Sequence, residues 1–252
     1  MKMKKNKHRK GKNMAIYIIG DLHLSFAKDK PMSIFGANWE NHSEKIKEDW
    51  LQKVEPGDTV ILAGDFSWAM HLEDAYLDFQ FIHNLPGKKI LLKGNHDYWW
   101  TTITKMKEYL QKCEFTDIEF LYNNSIKVED KIFIGTRGWN LLESQENEKM
   151  MNREIARLTL SIQDGVSKME NEEMIAIFHY PPISRAIMKN KTIYQSPFLE
   201  EIKKYPIHRC YYGHLHGKSH ADAVEGIIEN IQFQLISADY LNFHLEKMLN
   251  IS

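Results

Sequence analysis

The chain is poor in cysteine, in proline and in long apolar runs, and each shortage removes a class of protein. Two cysteines in 252 residues, Cys113 and Cys210, cannot frame a disulfide scaffold and show no CxxC spacing. They read as ordinary thiols of a reducing compartment. No apolar stretch approaches the roughly 18 residues of a membrane span. The run Ala15-Ile16-Tyr17-Ile18-Ile19 follows a basic start but ends after five residues at Gly20-Asp21, too short for a secretory leader. A cytoplasmic protein with no membrane partner is therefore expected. Excess charge is missing as well: 33 Lys and Arg face 34 Asp and Glu, a net of −1. Seven of the basic residues fall in residues 1–14, which hold no acidic one, so the rest is acidic by about eight charges. A nucleic-acid binder is usually basic in its body, so nucleic acid is not the favoured partner. The seven prolines and 13 glycines build no linker, and no repeat is present. Residues 1–13 read as a basic, disordered tail, or as an upstream start before Met14, with an anion-binding arm as the alternative; residues 14–252 read as one domain.

What is present is a recurring pattern: a short apolar run that stops at a cluster of Asp, His, Asn and Gly. The runs are Ala15–Ile19, Thr59–Ala63, Lys89–Leu92, Met174–Phe178 and Cys210–Tyr212, each short enough and β-branched or aromatic enough for a buried strand. Helical spacing lies between them. Ile46, Trp50, Leu51 and Val54 form one face, with Asn41 and Glu44 placed as a capping box. Leu72, Ala75, Tyr76, Phe79 and Ile82 form a second face; Met151, Ile155, Leu158, Ile162, Val166 and Met169 form a third, from about Glu148. The alternation predicts parallel βαβ units in the first half. Ser125–Val128, Lys131–Gly135 and Ile231–Ile236 are spaced more like hairpins. The fold class expected is α/β with mixed sheets, in which ligands collect beyond the carboxyl ends of the strands.

The polar clusters sit at those ends. They are Gly20-Asp21-Leu22-His23, Gly64-Asp65, Gly94-Asn95-His96-Asp97, His179-Tyr180-Pro181-Pro182 and Gly213-His214-Leu215-His216. Asp21 and His23 are two apart at a strand end, which predicts side chains on one side. Singly, a Gly-Asp is a turn, and His8, His42, His71, His83, His208, His220 and His244 read as ordinary polar residues. Five of the twelve histidines, however, share the strand ends with three carboxylates and one Asn. Nitrogen and oxygen donors without cysteine are a first-row transition-metal set. Seven or eight of them exceed one tetrahedral site and suit two adjacent ions.

The ordered series Asp-x-His, Gly-Asp, Gly-Asn-His-Asp, His and Gly-His-x-His, from Gly20 to His216, resembles the calcineurin-like metallophosphoesterase superfamily. The resemblance implies a four-layer α/β/β/α sandwich with a dinuclear metal site at the strand ends. It implies Asp21, His23 and His216 on one metal, Asn95, His179 and His214 on the other, and Asp65 bridging. It implies His96 as proton donor to the leaving group, with Asp97 as its orienting partner, and a metal-bridging hydroxide as nucleophile. Two divalent ions of Mn, Fe or Zn would suit the donors, and nothing in the sequence chooses among them. The implied substrate is a small or nucleotide-like phosphate ester. A phosphodiesterase or nuclease, a protein phosphatase, or a non-catalytic scaffold are the alternatives. Gly64-Asp65 continues into Phe66-Ser67-Trp68-Ala69 where the Ser/Thr protein phosphatases carry Asp-Arg-Gly, which argues against that branch. Arg137 is a candidate substitute for the missing phosphate-gripping arginine, with a salt bridge as its alternative; Arg185 is a weaker candidate, and Asn95 could also meet substrate. Trp68, Tyr98, Trp99, Trp100, Trp139 and Tyr180 read either as packing or as an aromatic rim. The loop Ser25–Trp39 is long enough to cap the site or to meet a second copy.

Overall fold

Strands that are apolar on both faces need cover on both sides, and the chain supplies it in layers. The computed structural model describes residues 14–28, 30–141, 148–183, 185 and 196–249; the basic tail lies outside them. Strands β1 (Ile16–Ile19), β2 (Thr59–Ala63), β3 (Lys88–Leu92) and β4 (Ile118–Leu121) run parallel in that order. Their crossovers carry α1 (His42–Lys53), α2 (Tyr76–His83) and α3 (Ile103–Lys112), which is the alternation expected of the first half. The second sheet takes β5 (Ile126–Val128), β6 (Lys131–Thr136), β7 (Glu173–Phe178), β8 (Ile207–Tyr212), β9 (Gly226–Ile228) and β10 (Ile231–Leu235), in the order β5-β6-β7-β8-β10-β9. Helices α4 (Glu148–Lys168) and α5 (Pro197–Ile202) cover it. A short β11 (Glu246–Lys247) returns antiparallel beside β1, so both sheets are mixed.

Side chains alternate between the two faces of each strand. In the first sheet Tyr17, Ile19, Val60, Leu62 and Leu91 meet the helices, while Ile16, Ile18, Ile61, Ile90 and Leu92 meet the other sheet. From the second sheet Phe133, Ile175, Ile177 and Tyr211 complete that inner layer, and Ile134, Ala176 and Phe178 face α4 and α5. Each buried aliphatic or Phe side chain contributes about 1.5–3 kcal/mol. The result is the α/β/β/α sandwich implied by the resemblance. No helix among the described residues is long and apolar enough to cross a membrane.

Three local expectations fail for identifiable reasons. The hairpin reading holds for β5–β6 and β9–β10, but β6, β7, β8 and β10 pair in parallel. A long connection separates each parallel pair, as a parallel partner requires. Helix α1 starts where expected, yet Asn41 is left-handed (φ 53°) and its side chain caps nothing. A capping side chain needs the extended backbone that Asn41 has left. Leu51, Tyr76 and Val166 stand outside the apolar faces assigned to them, exposed at the margin.

The two sheets meet at their carboxyl ends. The Gly20 amide donates to the Ile236 carbonyl (2.7 Å), the Ala238 amide to that of Gly20 (3.0 Å), and the Ile236 amide to that of Tyr212 (2.8 Å). The chain just after β1 is thereby tied to the end of the second sheet.

Candidate metal centre

Every sequence cluster lies at this seam. Asp21 and His23 follow β1, Asp65 follows β2, and Asn95, His96 and Asp97 follow β3; His179 follows β7, and His214 and His216 follow β8. Strand alternation is not what brings Asp21 and His23 together. Both have turned left-handed (φ 61° and 47°), as have Asp65 (50°) and His214 (72°). That conformation costs a non-glycine residue about 1–2 kcal/mol, and it persists where surroundings over-determine the backbone. Here the amides of Asp21, His23 and Leu24 donate in succession to the carbonyls of Gly64, Asp65 and Phe66. Two glycines make the approach possible. A Cβ at Gly94 would stand 2.1 Å from the amide nitrogen and Oδ1 of Asp65, and one at Gly213 would stand 2.3 Å from Asp21 Oδ2.

The donor atoms converge. Asp65 Oδ2 lies 3.5 Å from His179 Nε2, 3.7 Å from His23 Nε2 and 4.0 Å from His96 Nε2. Asp21 Oδ1 is 3.5 Å from His216 Nε2, which itself faces His23 Nε2 at 3.3 Å. Asn95 Oδ1 sits 2.6 Å from His179 Nε2 and 2.9 Å from His214 Nδ1. Two three-donor groups, Asp21/His23/His216 and Asp21/Asp65/His179, each keep their ligand atoms within 4.8 Å of one another.

These residues fit divalent cations. The Nδ1 of His179 faces the Ala63 carbonyl (3.2 Å) and that of His216 faces Asp239 Oδ1 (2.8 Å). With its donor at Nδ1 a neutral ring turns an Nε2 lone pair inward, the usual way a metal-binding imidazole is held; His216, facing two carboxylates, would give up its Nε2 proton to a cation. Burial lowers the pKa values of His23, His179 and His214, the last to about 3, so these rings are neutral ligands. Burial, then the Asp21 charge, pushes Asp65 up to about 8 in the metal-free chain. Although burial raises it, the carboxyl of Asp21 is held below its usual range by His216, then His179 and His23. Burial would lower His216, but Asp21 and Asp239 raise it to about 10. Imidazole nitrogen, carboxylate and amide oxygen together are a set for first-row divalent ions.

The remaining candidates divide. His96 is about one-third exposed (34%), and its amide donates to Asp65 Oδ1 at 2.7 Å. Its ring leans on Trp68 at 4.4 Å between centroids. Asp97 is buried and accepts from the amides of Phe66 (2.9 Å), Ser67 (3.2 Å) and Gly94 (2.7 Å) and from the Trp99 indole (3.0 Å). It therefore binds the loop after β2 to the loop after β3, and makes no contact with the His96 ring among the described residues. Arg137 pairs with Glu154 at 3.2 Å and stacks on Trp139 at 4.7 Å, with no contact to the donor cluster among the described residues. Arg185 is exposed.

The aromatic rim is smaller than the sequence suggests. Trp99 and Trp100 are buried against Phe79 and Phe120 as core. Trp68 remains, stacked on His23 at 5.0 Å, with exposed Tyr98 edge-on to the His96 ring at 6.0 Å, and Tyr180 lies 4.1 Å from the His214 ring. The loop Ser25–Trp39 folds over the centre through two 3₁₀ turns, Met32–Phe35 and Ala37–Trp39, and Trp39 stands edge-on to His23 and His216. Trp39, the end of the loop expected to cap the site or meet a second copy, is a wall of it; one neighbour escaped the sequence reading, Asp239, which accepts from His216 Nδ1 and from the Gly217 amide (3.0 Å). A signal for Asp239 existed, since the run Ile231–Ile236 also stops at a polar residue beyond a strand end.

The family model for calcineurin-like phosphoesterases matches residues 14–218. Among solved structures, the chain is similar to the phosphopantetheinyl hydrolase PptH from Mycobacterium tuberculosis, with a TM-score of 0.53 at 12% identity over 95% of this chain and 97% of that one. It is similar to the protein TT1561 of Thermus thermophilus, with a TM-score of 0.50 at 12% identity over 94% and 99%. A protein of unknown function from Aquifex aeolicus, AQ665, is 18% identical over 93% and 96%, with a TM-score of 0.48. At such identities the likeness to PptH and TT1561 is one of fold. No curated protein matches the chain by sequence.

Proposed function

The chain belongs to the calcineurin-like phosphoesterase family and is a metal-dependent phosphoesterase; from that premise we propose that it hydrolyses a small or nucleotide-like phosphate ester with His96 as general acid. The observation that carries the reading is the meeting of Asp65 Oδ2 with three imidazole nitrogens within 4.0 Å. Asp21, His23 and His216 would hold one divalent cation, Asn95, His179 and His214 a second, with Asp65 shared between them. Mn, Fe and Zn suit these donors equally. Such ions supply Lewis acidity toward phosphate oxygens and make a water acidic enough to attack near neutral pH.

The chain's own residues do the rest. Asp239 and the Ala63 carbonyl keep His216 and His179 in the tautomer that presents Nε2. Asp97 fixes the turn that carries Asn95 and His96. Asn95 turns Oδ1 to the imidazoles, which leaves its amide N–H groups for a phosphate oxygen. An alkoxide leaves poorly unless it is protonated, and His96, open to solvent on one side, would deliver the proton. Burial, then His179, lower its pKa to about 4 and leave the free ring neutral; the acid role requires that the charge of a phosphate anion beside it favour imidazolium. Arg137 is engaged by Glu154 and is given no phosphate contact.

The burial of Trp99 and Trp100 removes one wall of the open groove a nuclease would use, which favours a small substrate. The test is hydrolysis of a chromogenic phosphate monoester against its diester by Mn²⁺-loaded protein, with Asp65→Asn as the blank. Monoester preference marks a phosphatase and diester preference a phosphodiesterase. Turnover in Asp65→Asn equal to the parent, or none in the parent, sinks the reading.

A further inference from the structure

A cavity of about 380 Å³ opens beside His96, within the size range of small-molecule sites. Its apolar walls are Met32, Phe35, Trp39 and Trp68; Asn38 and Lys218 are its polar edge, and His23 and His216 lie at its base. The walls are held. Trp39 is buried and edge-on to the two histidines, and the Trp68 indole N–H points at Met32 Sδ (3.2 Å). The carboxylate in the lining, Asp239, is already taken by His216 and the Gly217 amide. One cation lines the space without a carboxylate partner among the described residues, Lys218; a second, Lys30, stands outside the lining with its ammonium 2.8 Å from the centre of the Trp68 ring.

We propose that this cavity receives the alcohol half of the substrate, a group carrying a flat unsaturated ring next to the ester oxygen and a second anionic group farther out. The inference rests on the phosphoesterase reading in one respect, the placing of the ester oxygen at His96. Because His96 leans on Trp68, whatever is attached to that oxygen enters between Trp68 and Trp39. Rigid indole walls favour a flat ring, which gains ring–ring contact at little cost in conformational freedom. Lys30 sits on a flexible stem and can exchange the Trp68 ring for an anion on the ligand, with Lys218 beside it.

The experiment compares Mn²⁺-loaded full-length protein on benzyl phosphate and propyl phosphate, whose alcohols are similar leaving groups. Benzyl phosphate should show a KM about tenfold lower, and the advantage should shrink several-fold in Phe35→Ala, an exposed substitution. A carboxylate on the benzyl ring should lower KM further, and a Lys30→Gln/Lys218→Gln variant and added salt should both erase that gain. Equal KM values for benzyl and propyl phosphate overturn the ring assignment while leaving the reaction class standing. A carboxylate without effect overturns the anion assignment. Should neither ester turn over, the reaction reading fails, and tryptophan-fluorescence titration with benzylphosphonate against propylphosphonate decides the cavity alone. Tighter benzylphosphonate upholds it; equal affinities overturn it.

Discussion

The two sheets bring unlike chemistry to one seam. The first contributes Asp21, Asp65 and Asn95, all the oxygen donors among the candidate ligands, together with His23 and His96; the second contributes only imidazoles, His179, His214 and His216. Each three-donor group draws on both sheets, Asp21/His23/His216 and Asp21/Asp65/His179 alike. Neither half is a metal site by itself. The first alone would be a buried pair of carboxylates with too little counter-charge, as the raised pKa of Asp65 indicates. The second alone would offer three imidazoles and no carboxylate ligand, its Asp239 being turned to the Nδ1 of His216. A charged centre assembled across a seam couples ion binding to the packing of the whole sandwich.

That coupling can be broken in steps. Beyond the Asp65→Asn blank, the largest effect is expected from His96→Ala, which should lower turnover of an alkyl phosphate by about 10²–10⁴-fold, the usual worth of a positioned acid. Metal content measured by elemental analysis should stay intact, since the ring stands at the margin of the donor set. Asp239→Ala should come next: freeing the His216 ring should weaken one metal site by about 10–100-fold in a competition titration with a chelating dye. Asp239→Asn, which retains an oxygen toward Nδ1–H, should lose less. Chelation tests the seam itself. Ions held at a hundredfold excess over their dissociation constant stabilise a fold by about 2.7 kcal/mol, which for a chain of this size is about 5–10 °C of melting temperature. Calorimetry with and without Mn²⁺ should show that loss as one transition, and two separate transitions would contradict the coupling. The smallest change in activity is expected from Arg137→Gln. It should leave KM within about twofold while costing about 1–3 kcal/mol, because Glu154 is buried and loses a charged partner.

The same comparison explains what could be read from residues alone. The first sheet was legible because apolar runs and helical faces alternate there with little interruption, and the polar residue after each run is a candidate ligand. In the second sheet the ligands were equally plain, but pairing was not, since the spacing of Lys131–Gly135 and Ile231–Ile236 suits a hairpin as well as a crossover. Short or lightly buried elements gave no signal. Helix α3 buries only Met106 and Leu110, and β11 is two residues long. One neighbour of the donor set was passed over for another reason: Asp239 follows an apolar run as the ligands do, but its hold on His216 comes from the meeting of distant segments. Residue type also says little about facing. Trp68 borders the cavity while Trp99 and Trp100 fill the core, although all three follow a strand end.

The bond between Gly20 and the segment Ile236–Ala238 has a consequence for how the molecule is made. Strand β1 leaves the ribosome long before Ile236–Ala238 and cannot finish its pairing until that segment emerges, and Asp21 cannot meet His214 and His216 until they too have been made. At ordinary rates of synthesis that interval is on the order of tens of seconds. During it, the early carboxylates wait at an unfinished edge. The centre is therefore an event of completion, and a chain cut short before Ile236 would keep all of its candidate ligands yet have no seam to gather them.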